Sequence, residues 1–175
     1  MSDTTSRLTT GMFTSRTEEW GTPIYVFNAL DAEFHFELDV CCTIDNRKCA
    51  DYFDKASDGL KQDWKGRTCF MNPPYGKEIV KWMKKAFEES KKGAVVVCLV
   101  HARTDTRWFH DLAWKADEIR FVKGRLKFGD GKQSAPFPSL IVIFRNSPRL
   151  SPRFSTVRFM PGRSCIHTLL ERNQA

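Results

Sequence analysis

The chain has 175 residues, of which 41% are hydrophobic and 28% charged, and its formal net charge is +7. That length suits one domain with a real core, and the composition excludes a disordered or fibrous protein. No apolar stretch approaches the roughly 18–20 residues that cross a bilayer, and the opening MSDTTSRLTTGMF lacks the basic-then-apolar pattern of an export signal, so a cytoplasmic protein is expected.

Residues 1–19 are rich in Thr and Ser without apolar periodicity and read as a flexible arm. Ile24, Phe27, Leu30 and Phe34 recur at near-helical spacing, which predicts a helix over 24–36 behind Pro23. FELDV (36–40) reads as a short strand. TCFMN (68–72) reads as another, stopped by two prolines that cannot donate to a ladder. Over 77–90, Ile79, Val80, Trp82, Met83, Ala86 and Phe87 form one face of an amphipathic helix whose other face is lysine and glutamate. AVVVCLV (94–100) is continuously apolar, the pattern of a parallel strand buried on both faces. A helix is predicted over 105–116, with Trp108, Phe109, Leu112 and Ala116 inward. EIRFV (118–122) and SLIVIFR (139–145) are two further strands separated by the loop or hairpin excursion KGRLKFGDGKQSAPFP, and STVRFM (155–160) is one more.

Strands alternating with helices specify an α/β protein with a mostly parallel sheet, and the missing helix before SLIVIFR predicts an antiparallel last strand. The expected organisation is an arm (1–19), one domain (20–145) and a basic extension (146–175). That extension carries Arg149, Arg153, Arg158, Arg163 and Arg172 against Glu171 alone, +4 of the net +7. Such a tail suits phosphate contacts and suits a plain solvated surface equally well. The six cysteines show no C-x-x-C spacing, and Cys69 and Cys98 lie within apolar runs, so reduced thiols are expected and no metal site.

The segment Asn72-Pro73-Pro74-Tyr75 falls at the exit of a predicted strand, where ligands of parallel α/β sheets bind. Two prolines stiffen the loop and leave carbonyls as its exposed polar groups. The side-chain carbonyl of Asn72 and the main-chain carbonyl of Pro73 can both accept hydrogen bonds from one –NH2 group. Tyr75 offers a ring for stacking a flat heterocycle, and Gly76 permits close backbone approach. The set suits methylation of an exocyclic amine: two acceptors favour a pyramidal nitrogen whose lone pair points at an electrophilic methyl group, so positioning and electrostatics carry the catalysis. The plainer reading is a Pro-Pro turn with Tyr75 packed against it.

From about Trp20 to Phe144 the sequence resembles the phage-encoded DNA N6-adenine methyltransferases, a compact Dam-like family that uses S-adenosylmethionine. The resemblance runs through EEWGTPIYVF (18–27), FELDVCCTIDNRKC (36–49), SDGLKQDW (57–64), MNPPYG, VHARTDTRWF (100–109), GRLKF (124–128) and APFPSLIVIF (135–144), in that order. It implies a Rossmann-like methyltransferase fold acting on adenine in DNA within the bacterial host cell, with phage DNA shielded from host restriction. By position it assigns Asn72, Pro73, Pro74 and Tyr75 to catalysis and to holding the target adenine. Thr22, Pro23, Asp39, Cys41 and Asp45 would face the methyl donor, with Asp45 toward its ribose and Asp58 accepting from its adenine amine. Arg103, Arg125 and Phe128 would lie on the substrate side, Phe128 as a wall of the pocket for a flipped base. Where wider relatives have a glycine-rich turn after the first strand, this chain and the phage family have none; the turn here is Val40-Cys41-Cys42-Thr43. With no separate recognition domain, short or relaxed sequence specificity is expected. A methyltransferase for RNA adenine or protein glutamine, and a non-catalytic DNA-binding protein on the same fold, are the alternatives.

Overall fold

The computed structural model describes residues 20–128, 134–161 and 166–169. The expected arm and Arg163 and Arg172 lie outside the described residues. The described strands form one eight-stranded sheet in the order β2-β1-β3-β4-β6-β5-β7-β8. In chain order these are β1 (Leu38–Asp39), β2 (Asp51–Tyr52), β3 (Thr68–Met71), β4 (Val95–His101), β5 (Glu118–Val122), β6 (Ser139–Phe144), β7 (Arg153–Arg158) and β8 (Ile166–Leu169). The helices are α1 (Ile24–Phe34), α2 (Ile79–Lys91) and α3 (Arg107–Asp111).

From β2 through β4 every pairing is parallel. β6 is the expected antiparallel strand, inserted between β4 and β5 and antiparallel to both. The run 94–100, read as a parallel strand, is therefore parallel to β3 on one side and antiparallel to β6 on the other. Continuous apolarity reports burial on two faces and carries no information about direction. β5 pairs in parallel with β7, and β7 in turn is antiparallel to β8, so the 146–175 extension supplies strands to the same sheet.

Helices cover both faces. Successive residues of β4 and β6 alternate between two cores with period two. Val96, Cys98, Leu140 and Val142 meet Trp82, Met83 and Ala86 of α2 and Trp108 and Phe109 of α3. Val97, Leu99, Ile141 and Ile143 meet Val26, Phe27 and Leu30 of α1, with Val157 and Phe159 from the β7 segment joining them. α1 stops at His35, whose left-handed backbone (φ 55°) lets its N–H return to the Asp31 carbonyl.

One local expectation is corrected. The helix expected over 105–116 breaks after Asp111, because Leu112 leaves the helical region (φ −121°, ψ −57°) and the chain tightens into a 3-10 turn at Ala113–Lys115. The arginines of the extension are also less free than a solvated tail: Arg149 lies 3.0 Å from the buried carboxylate of Asp117, and Arg153 lies 3.3 Å from Glu118. Arg158 remains exposed.

Candidate active site

The carboxyl ends of β1, β3 and β4 meet at one edge, since Asp39 is in register with Phe70 and Met71 with Cys98. That edge presents Asp39, Asn72 and His101 side by side, the position at which open parallel sheets bind ligands. The prolines end β3 and turn the chain over the edge before α2 begins at Ile79.

Asn72 is held on three sides. Its Nδ2 donates to the Trp20 carbonyl at 2.5 Å and to Thr22 Oγ1 at 2.9 Å, while its Oδ1 accepts from the Tyr75 hydroxyl at 2.9 Å. Tyr75 is only 5% exposed. Burial pushes its phenol above the ordinary range, so it stays protonated and donating. Its ring makes T-shaped contacts with His101 (centroids 3.7 Å apart) and with Phe137 (5.5 Å), so Tyr75 stands inside a ring cluster. Phe137 also packs on Trp20 and Phe128. Five rings thus close one flank of Asn72. Burial, helped by the charge of Arg103, lowers the His101 imidazole to about 4, which leaves it neutral at pH 7.

On the other flank lies a cavity of about 620 Å³, within the ordinary range for small-molecule sites. Of the residues singled out in the sequence, Thr22, Asp39, Cys41, Asp58, Asn72, Pro73 and Pro74 line it. Pro23 is buried behind Thr22, where its carbonyl receives the first N–H groups of α1. Asp45 is exposed on the turn, and its neighbours Asn46 and Lys48 line the wall instead. Arg103 and Arg125 are exposed outside the cavity, and Phe128 is buried within the ring cluster.

Asp39 is the chemical centre of the cavity wall. It is 2% exposed, and its carboxylate accepts from the main-chain N–H of Lys48 (3.0 Å) and of Cys41 (3.5 Å). Burial outweighs these bonds and raises its pKa to about 6. The carboxylates of Asp54, Asp58 and Glu78 share the wall with the ammonium groups of Lys48, Lys55 and Lys81, so its charge is mixed, with Asp39 its buried acid. Burial, reinforced by Asp39, pushes the Cys41 thiol well up and the Cys42 thiol up to about 12, so neither is a nucleophile at neutral pH. The described cysteines are all free, and no cluster of metal-binding residues exists among the described residues.

Sequence reasoning missed one wall residue with a clear physical role. A Cβ on Gly59 would sit 2.1 Å from the Val40 carbonyl and 3.2 Å from the Trp82 ring. Only glycine lets the 3-10 turn Gly59–Lys61 press against the exit of β1, where the Trp64 indole anchors it by donating to the Gly59 carbonyl at 3.0 Å. Asp58, ahead of it, takes a left-handed conformation (φ 52°) and pairs with Lys61 at 3.0 Å.

Comparison with known proteins matches residues 10–159 to the family described as DNA N-6-adenine-methyltransferase (Dam). The chain is also 29% identical over 133 residues to a DNA N-6-adenine-methyltransferase of Haemophilus phage HP1 (strain HP1c1), in an alignment covering 71% of this chain and 77% of that protein.

Proposed function

The chain belongs to the DNA N-6-adenine-methyltransferase (Dam) family, and from that premise we propose that Asn72 and the cavity beside it transfer a methyl group from S-adenosylmethionine to N6 of a flipped adenine in DNA. One observation carries the reading: the Asn72 carboxamide is fixed between a cavity that holds the buried Asp39 and a cluster of aromatic rings. The cavity fits the methyl donor by chemistry. A buried Asp39 carboxylate that accepts from the main-chain N–H groups of Cys41 and Lys48 and that burial still pushes toward protonation favours a cationic ligand, and S-adenosylmethionine carries positive charge on both sulfur and ammonium. Asp58 sits on the same wall as an acceptor for an adenine amine.

S-adenosylmethionine, when bound, supplies an electrophilic methyl group on sulfur. The protein's part is positioning. Asn72 Oδ1 and the Pro73 carbonyl accept the two N6 hydrogens, which draws the nitrogen lone pair out of conjugation and toward the methyl carbon. As the N6–CH3 bond forms, the S–CH3 bond would break to leave S-adenosylhomocysteine, and the surplus N6 proton would pass to solvent afterwards; no strong base is needed before attack, which agrees with a neutral His101 and a protonated Tyr75. The base leaves the duplex at a cost of a few kcal/mol and displaces part of the ring cluster, with Tyr75 or Phe128 stacking on it. Arg103, Arg125 and Arg158 are the exposed cations proposed to meet phosphate. Short or relaxed sequence specificity is the expected behaviour of such a site.

The test is incubation with methyl-labelled S-adenosylmethionine and, separately, unmethylated DNA, RNA and protein mixtures. Label recovered as N6-methyladenine from DNA is expected. Label confined to RNA or protein would reassign the substrate, and DNA binding without transfer would leave a non-catalytic binding protein.

A further inference from the structure

We propose that the segment Trp20-Gly21-Thr22 is a clamp for the catalytic carboxamide, and that Thr22 is a positioning residue for methyl transfer rather than only a wall of the cavity. The inference rests on the role of Asn72 proposed above. A carboxamide is nearly symmetric in shape, so an asparagine side chain can sit in two orientations that exchange its oxygen and nitrogen. A substrate amine brings only hydrogens, so only the orientation that offers it Oδ1 is productive.

The Trp20 main-chain carbonyl decides which end is which. A carbonyl only accepts, so the Asn72 atom 2.5 Å from it must be Nδ2. One bond is a pivot and leaves the amide plane free to rotate. Thr22 Oγ1, 2.9 Å from the same nitrogen, takes its second hydrogen and fixes the plane. Tyr75 then holds Oδ1 from the far side at 2.9 Å. Both hydrogens of Nδ2 are committed, whereas Oδ1 keeps one lone pair for the substrate.

The clamp is itself mounted rigidly. Pro23 follows Thr22 with φ −61° and caps α1, receiving the N–H groups of Val26 and Phe27 at 3.0 and 3.1 Å. α1 in turn is packed through Val26, Phe27 and Leu30 against the sheet. The spacing Trp-x-Thr-Pro acquires a physical reason: the carbonyl of its first residue and the hydroxyl of its third straddle one amide nitrogen, and the proline fixes both to a helix.

The test measures single-turnover methyl transfer to DNA, at saturating S-adenosylmethionine, for the wild type, Thr22→Val and Thr22→Ser, with the Kd for S-adenosylmethionine measured on the same samples. Thr22→Val is expected to lose about tenfold in rate, as a small misplacement of a reacting group does, with the Kd within about twofold of wild type. Thr22→Ser, which keeps the hydroxyl, is expected to return to within about twofold. A wild-type rate in Thr22→Val, or a loss that appears only as a raised Kd, overturns the clamp. If Thr22→Val does not fold, Thr22→Ser against Thr22→Ala gives the same comparison, and equal rates for that pair overturn it. A wild-type protein that transfers nothing to DNA fails the underlying reading instead, before any variant is compared.

Discussion

At the scale of single residues, Asp39 shows how the cavity stores free energy for a ligand. Its folded-state pKa of about 6 stands above the ordinary 3.8 because burial disfavours the charged form. A raised carboxyl pKa means the native state holds the proton more tightly than the unfolded chain. Stability is therefore lost as pH climbs from about 4 through 6, and above 6 the full penalty, about 3 kcal/mol, is in place. Asp39→Asn should stabilise the ligand-free protein by about 1–3 kcal/mol at pH 7.5 and by about a third as much at pH 4.5, as read by urea unfolding at the two pH values. A variant less stable than wild type at pH 7.5 would contradict this. A cationic methyl donor relieves the same penalty, so its affinity should be flat between pH 6 and about 7, below the titration of an α-amino group, and weaken by up to about tenfold per unit below pH 6. Asp39 was visible in the sequence as the end of a strand. Its burial was not, because the N–H groups that meet its carboxylate belong to Cys41 and Lys48, and the path of the turn after β1 that brings them there has no sequence pattern.

At the scale of elements, what the sequence disclosed follows from how much apolar surface each element buries. β3, β4, β5 and β6 are nearly or wholly buried, so their apolar runs marked them within about a residue. β2 is two residues long, Asp51 exposed and Tyr52 half-buried, and has no pattern to read. α3 was overextended because Leu112 and Ala116 keep a helical spacing that the 3-10 turn also satisfies. The loop after β3 was legible because prolines end strands for reasons local to the chain. The 3-10 turn at Gly59 carries no local signal, since its partner, the Val40 carbonyl, is distant in sequence. Gly59→Ala should force that turn off β1 and cost about 1–3 kcal/mol, with S-adenosylmethionine binding weakened together with stability. Denaturant unfolding and calorimetric titration on the same variant check this; an unchanged midpoint and affinity would show that the close approach is dispensable.

At the scale of the whole molecule, charge and topology are linked through the extension. Composition disclosed the cluster of arginines but not their partners, which lie about 30 residues earlier in the chain. Asp117 is 5% exposed and is met by Arg145, Arg149 and Arg153, at 3.2, 3.0 and 3.6 Å. A buried carboxylate deprived of its cations is strongly destabilising. Removing residues 146–175 would also strip β7 from the edge of β5 and take Val157 and Phe159 out of the α1-side core. A chain ending at Arg145 should therefore lack a cooperative thermal transition by circular dichroism, although it retains every residue assigned here to catalysis. A sharp transition near that of the full chain would make the extension an appendage.

The claim at the centre of the account is that the Asn72 carboxamide, beside a cavity for S-adenosylmethionine, is what makes adenine N6 reactive. Single-turnover transfer to unmethylated DNA by the wild type and by Asn72→Ala, with S-adenosylmethionine affinity measured on both, tests it most directly. Loss of one preorganised electrostatic group predicts a rate lower by about a hundredfold or more, with the affinity changed less than about threefold. Transfer by Asn72→Ala at the wild-type rate, or a wild type that neither binds S-adenosylmethionine nor methylates DNA, would contradict it.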